Sequence, residues 1–335
     1  MNFSKAKKVF SLIAVLIVAL AFAGCERKAA NTGGTREGGK KVIGFAQSET
    51  DNPWRIAETK SMQDEAAKRA DKYEFVLTNA QGQTSKQVSD VEDLIARHVD
   101  AIFLVPREAE GLTTALQRAK EAKIPVFLID REHQGTAGQD FVTFIGSNFV
   151  EEGQRVGEWV VKNTGGKAGV VILEGNAGAS VARDRNTGFL EAIKGSPEVK
   201  VLASQPADFK RANGQAVMEN LIQAHGKNIT VVYAHNDEMA LGAIQALKTA
   251  GFNPGKDVKV VSVDGQKSAL EAIIAGDLNV TVECNPRFGP IAFDTLEKHF
   301  SGGQIPPKII VPDKFFDASN AAQFVNEAYY VRSEK

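Results

Sequence analysis

Residues 231–242 read VVYAHNDEMALG, an apolar segment that runs straight into His235, Asn236, Asp237 and Glu238 and then into a helical pattern. The same step recurs along the chain. KVIGFA (41–46) leads to Gln47 and then to Asp51, Asn52, Pro53, Trp54 and Arg55. VFLI (126–129) leads to Asp130 and Arg131, and VVIL (170–173) to Glu174 and a glycine-rich turn before Arg183 and Arg185. VLAS (201–204) precedes Asp208, Phe209 and Lys210, and VVSV (260–263) precedes Asp264 and Gly265. Any one of these is explained by a surface turn or a helix cap; Asn236 or Asp237 is well placed to cap a helix beginning at Glu238. Repetition points to a shared chemistry. Asp accepts hydrogen bonds, Arg donates in a planar fork, and the Asn amide does both. Aromatic faces such as Trp54 and Phe209 can cover the C–H surface of a ring. The mixture suits an uncharged, hydroxyl-rich ligand of the sugar type.

Other chemistries find less support. GNAGAS (175–180) matches neither G-x-x-x-x-G-K-[ST] nor G-x-G-x-x-G, so nucleotide binding is rejected. There is no G-x-S-x-G elbow and no H-E-x-x-H. Two carboxylates would suffice for a glycosidase, and spacing alone does not exclude one. The histidines at 98, 133, 225, 235 and 299 show no paired ligand spacing, and no metal or cofactor is expected. Apart from Cys25, Cys284 stands alone, which rules out a disulfide framework and a cysteine metal site; it reads as a small packing residue.

The elements that would position these groups alternate regularly. Short apolar runs at 41–46, 74–79, 100–105, 124–130, 141–145, 168–173, 199–204, 229–234, 258–263 and 278–283 are separated by amphipathic stretches such as 54–70, 85–97 and 110–122. Strands without polar alternation, each followed by a helix, predict parallel sheets covered on both faces. Their C-terminal ends then share one side, where open α/β sheets bind ligands. About ten strands are too many for one compact doubly wound sheet. Two similar α/β domains, with a break near 140, are preferred to an eight-fold barrel.

The formal net charge of −1 gives no reason to expect nucleic acid. Lys5, Lys7 and Lys8 precede an apolar run from Val9 to Phe22, followed by Ala23-Gly24-Cys25. A charged start, a short apolar core and small residues at the exit predict a cleaved export signal over 1–25. A membrane anchor would need roughly 20 apolar residues. Cys25 is placed for lipidation, although Ala21-Phe22-Ala23 would also serve ordinary signal peptidase. The polar, glycine-rich stretch 26–40 reads as a flexible tether. The expected location is periplasmic or at the cell surface, with the membrane reached only through a lipid anchor.

Several long segments resemble a known family: NPWRIAET (52–59), VDAIFLVP (99–106), IPVFLIDR (124–131), GASVARDRNTGF (178–189), SQPADFKR (204–211), AHNDEMALGAIQAL (234–247) and VSVDG (261–265). From Lys41 onward the chain is similar to the bacterial periplasmic sugar-binding proteins of ABC importers, of the ribose and galactofuranose type. The resemblance implies a type I periplasmic binding protein fold, α/β, with two Rossmann-like lobes joined by a three-segment hinge. It places one lobe at 41–146 plus 285–312 and the other at 147–284 plus 313–335. It implies a monosaccharide ligand, a permease partner, a monomer and no enzymatic activity. Carried over by position, Asn52, Trp54, Arg55, Asp130 and Arg131 come from one lobe, and Arg183, Phe209, Asn236, Asp264 and Glu283 from the other, while Asp237 is left to cap its helix. Cys284 stands where ribose binders carry a glutamine. A sensor feeding a chemoreceptor or histidine kinase is the alternative use of the same fold.

Overall fold

The structure is a computed structural model and describes residues 39–329. The expected export signal, Cys25 and nearly all of the tether lie outside the described residues.

Apolar runs and amphipathic stretches fall where periodicity places them. The first half of the chain gives β1 (Lys41–Gln47), α1 (Pro53–Lys68), β2 (Tyr73–Asn79), α2 (Thr84–Ala96), β3 (Ala101–Leu104), α3 (Thr113–Glu121), β4 (Val126–Ile129) and β5 (Phe144–Gly146). The second series is α4 (Phe149–Asn163), β6 (Lys167–Glu174), α5 (Ser180–Ile193), β7 (Glu198–Pro206), α6 (Arg211–His225), β8 (Val231–Ala234), α7 (Asp237–Thr249), β9 (Lys259–Asp264), α8 (Lys267–Ala275) and β10 (Val280–Glu283). The chain ends with α9 (Gly289–Phe300), β11 (Lys308–Ile310), β12 (Phe315–Asp317) and α10 (Ala321–Phe324).

These strands form two open six-stranded sheets, ordered β2-β1-β3-β4-β5-β11 and β7-β6-β8-β9-β10-β12, which overturns the barrel alternative. Each sheet runs second-first-third-fourth-fifth through its own five leading strands, so each has a topological switch point: β1/β3 in one, β6/β8 in the other. All pairings are parallel except β10 with β12, which is antiparallel. Strands β3, β4, β5, β8 and β10 are buried along their whole length, as parallel strands covered on both faces must be. The chain passes from one sheet to the other after β5, after β10 and again after β11. The strands β11 and β12, three residues each, escape sequence periodicity because they are too short to show any.

The two lobes pack by different means. In the first, Phe45, Phe75, Phe103, Phe127 and Phe293 of the returning α9 form a chain of ring contacts, with Phe103 and Phe293 centroids 5.3 Å apart. In the second, α4 lies directly on α5. A Cβ at Gly153 would come within 2.1 Å of the Arg185 carbonyl oxygen, so only glycine lets the two backbones approach this closely.

Candidate functional site

The C-terminal ends of both sheets face one cavity. Side chains fill most of it, leaving a free volume of about 30 Å³. Its walls are Asn52, Trp54, Arg55, Asp130 and Arg131 from the first lobe and Val181, Arg185, Phe209, Asn236 and Asp264 from the second, with Cys284 on a crossing segment. Eight of the ten expected side chains are thus brought together: Asn52, Trp54, Arg55, Asp130, Arg131, Phe209, Asn236 and Asp264.

Each is held by its own element. Asn52 caps α1, its Oδ1 accepting from the Arg55 amide at 2.9 Å, and Pro53 begins the helix. That places Trp54 and Arg55 in the first turn, pointing into the cavity. Trp54 Nε1 donates to the Cys284 carbonyl at 2.7 Å. Arg55 forks between Glu58 Oε2 (2.7 Å) and Asp130 Oδ2 (2.6 Å). Arg185 donates from Nε to Glu152 Oε2 (2.6 Å) and from Nη1 to the His235 carbonyl (2.6 Å), and its Nη2 lies 3.7 Å from Asp264 Oδ1. Phe209 swings across Gly175, where any Cβ would meet the ring at 1.9 Å. Asp130 (φ +60°), Phe209 (φ +59°) and Asp264 (φ +129°) all sit in backbone conformations that side-chain-bearing residues rarely adopt. Strain of this kind clusters where side chains must be aimed.

Two expected residues lie elsewhere. Arg183 is exposed over 57% of its side chain and pairs with its neighbour Asp184. Arg185, two positions on, takes the buried place because Val181, Arg185, Gly188 and Phe189 form the inward stripe of α5. Glu283 turns away from the cavity, accepting from the Lys314 amide at 3.0 Å, and Cys284 on the other face of the strand end lines the wall instead. The helix cap is also reassigned. Asn236 is the cap of α7, its Oδ1 accepting from Met239 N at 3.0 Å, while its Nδ2 donates to the Phe209 carbonyl at 3.2 Å. Asp237 is fully buried and instead takes hydrogen bonds from Ser262, Thr281 and the Gln266 amide, tying α7 to β9 and β10.

The electrostatics are those of a binding site. Burial, reinforced by Arg55, pushes Arg131 down to about 10, and it stays charged at neutral pH. Burial and the Arg185 charge hold His235 down near 3, so it is neutral. Burial and the nearby Glu152 raise the Cys284 thiol well above its usual range, which removes it as a nucleophile. Among the described residues no group of three or more His, Cys, Asp or Glu side chains could hold a metal ion.

Burial also pushes Glu58 up to about 7 against the opposing pull of Arg55, and Asp237 up to about 7 against its hydrogen-bond donors. Both carboxyls ionise lower in the unfolded chain, so the folded state binds more protons and gains stability as pH falls through this window. The neutral, buried His235 pulls the other way, so the gain in urea unfolding free energy from pH 8 to pH 5 is expected to be smaller in Glu58→Gln than in the wild type. The same change with pH in Glu58→Gln and in the wild type would contradict a raised Glu58 carboxyl.

Two doubly wound sheets whose C-terminal ends face one polar cavity define a protein framed to take up a small solute. Residues 43–304 match the periplasmic binding protein domain family, and the chain belongs to that family. It is 43% identical over 271 residues to the galactofuranose-binding protein YtfQ of Escherichia coli (strain K12), covering 80% of this chain and 85% of the relative. A solved galactofuranose binding protein superposes with TM-score 0.83 at 39% identity, covering 86% of this chain and 98% of the other. The binding protein of the arabinose ABC transporter from Shewanella sp. ANA-3, bound to α- and β-L-arabinofuranose, gives 0.82 at 37% identity, over 86% and 95%. These relatives are named as binding proteins. Among the described residues no helix is long and apolar enough to cross a membrane.

Proposed function

We propose that this protein captures one monosaccharide, galactofuranose or a related aldose, between its lobes and delivers it to the permease of an ABC importer. The observation that carries the reading is a cavity walled by both lobes, in which carboxylates, guanidiniums and two aromatic rings converge. Asp130 and Asp264 accept from hydroxyls, while Arg55, Arg131 and Arg185 donate to ring or hydroxyl oxygens. Trp54 and Phe209 flank the C–H faces of the ring. Asn52 and Asn236 have a double task, since each already spends its Oδ1 on a helix cap.

The lobes are 41–146 with 285–312, and 147–284 with 313–335, a division supported by the sheet membership of β5, β10, β11 and β12. Only the closed form satisfies the ligand from both sides, so sugar shifts the population toward closure about the three crossing segments. Contacts at the rim support closure: Lys210 Nζ meets Asp51 at 2.9 Å, and Glu132 N donates to Ser180 Oγ at 2.9 Å. The protein acts as a monomer, exported and tethered through Cys25 or released by cleavage beside it. Transport is preferred to sensing because relatives of higher identity are named for import of ribose and fructose or for an arabinose ABC transporter.

A thermal-shift screen of the ligand-free protein against D-galactose, D-ribose, L-arabinose and methyl β-D-galactofuranoside tests the ligand class. A ligand that binds only the native state raises the melting temperature by mass action. A rise with the furanoside at concentrations where galactose does little assigns the furanose ring. An unchanged melting temperature with all four would remove the monosaccharide reading.

A further inference from the structure

Glu49 lies in the turn between β1 and α1 and is 4% exposed. Three guanidiniums surround it. Arg131 donates from Nη2 to its Oε1 at 3.2 Å. Although burial alone would raise the Glu49 carboxyl, the charges of Arg131, Arg55 and Arg107 hold it below its usual range. From the other side, Arg131 has few anions. Asp130 Oδ2 is 3.9 Å from its Nε and is already engaged by Arg55 at 2.6 Å. Its Nη1 donates to the Arg107 carbonyl at 3.2 Å. Among the described residues, Nε is the one nitrogen of this guanidinium without a hydrogen-bond partner, and the side chain lines the cavity. A planar fork fixed at two nitrogens has its third direction fixed as well. The second lobe reaches the same cluster through the Asn176 amide, which in one orientation meets Glu49 Oε1 at 3.3 Å and in the other Arg107 Nη1 at 3.1 Å.

We propose that Glu49 is a positioning residue for ligand capture: its carboxylate anchors Arg131 through Nη2 so that the unpartnered Nε is presented to an oxygen of the bound sugar. The identity of that oxygen's owner rests on the sugar reading above; the anchoring of Arg131 does not. Glu49 and Arg131 belong to the same lobe, so the anchor is in place before closure, and the cavity meets a preorganised donor.

Two measurements on the purified protein test this separately. The first uses no ligand: the ¹⁵N–¹H resonance of Arg131 Nε, identified by its loss in Arg131→Lys, moves and broadens in Glu49→Gln. An unmoved resonance overturns the proposal whether or not any sugar binds. The second is calorimetric titration with D-galactose, L-arabinose and methyl β-D-galactofuranoside. Glu49→Gln weakens whichever of them the wild type binds by about 10- to 100-fold. In the Arg131→Lys background the same substitution costs less than about threefold, because the two residues act as a unit. Equal losses in both backgrounds overturn the proposal, since Glu49 would then support the fold and not Arg131. A wild type that takes up none of these sugars fails the sugar reading instead, and the resonance alone then decides the role of Glu49.

Discussion

Replacing Arg185 by methionine is expected to destabilise the protein by about 3–5 kcal/mol and to abolish measurable sugar binding. Arg185 is 2% exposed and is the cation shared by Glu152 (2.6 Å) and Asp264 (3.7 Å). Removing it strands two buried carboxylates without their cation, and among the described residues Glu152 Oε1 already has no hydrogen-bond partner. Burial raises both carboxyls while Arg185 opposes the rise, so each would be driven further toward its neutral form. The double variant Arg185→Met with Glu152→Met should recover much of the stability, because a buried ion pair replaced by packed apolar groups often costs nothing. It should not recover binding, since the donor aimed into the cavity is still missing. Arg183→Ala is the control, and at an exposed position it should shift stability by no more than about 0.5 kcal/mol and leave affinity unchanged. Urea unfolding and calorimetry read both quantities. Wild-type affinity in Arg185→Met, or lost binding in Arg183→Ala, would reverse the assignment of the two arginines.

That pair also marks what the sequence makes legible. The strands, their order of appearance and the polar residues at their ends are visible because parallel strands buried on both faces leave unbroken apolar runs, and such runs end where the sheet does. Choosing between Arg183 and Arg185 needs the phase of α5. Helical spacing through Val181, Gly188 and Phe189 carries that phase, and at 100° per residue it puts Arg183 on the far side. Glu283 and Cys284 pose the same question with period two, and because β10 is buried on both faces its pattern does not say which of them faces the cavity. Asn236 and Asp237 could not be separated by type, since both are good caps and only the position of the first helical residue decides. Glu49, Glu58 and Glu152 left no signal at all. A buried carboxylate in a loop or an amphipathic helix looks like a surface charge until its arginine, 82, 3 or 33 residues away, is known to be beside it.

Asp130→Asn is expected to weaken sugar binding by about 100-fold or more while leaving the fold nearly as stable as before. Asp130 follows β4 directly, with its amide donating to the Ile145 carbonyl at 2.8 Å and its φ at +60°. Asparagine tolerates that left-handed backbone almost as well as aspartate. It keeps the shape and one acceptor for Arg55, but it loses the charge and exchanges the second acceptor for a donor. A charged acceptor facing sugar hydroxyls contributes about 1.5–3 kcal/mol per hydrogen bond, and two such bonds account for the expected loss. Asp130→Ala should lose as much affinity and a further ~1 kcal/mol of stability, because alanine resists the same backbone conformation. The comparison therefore separates the charge of Asp130 from its geometry, and binding within about threefold of wild type in Asp130→Asn would take the residue out of the ligand contacts. A second consequence is independent of sugar. Asp130 is one of the groups that raise Glu58, so its neutralisation lets the Glu58 carboxyl fall back toward its ordinary range. The extra stability near pH 5 relative to pH 8 should then shrink in Asp130→Asn as it does in Glu58→Gln. The two substitutions should be less than additive in this respect, since Arg55 joins both carboxylates in one network.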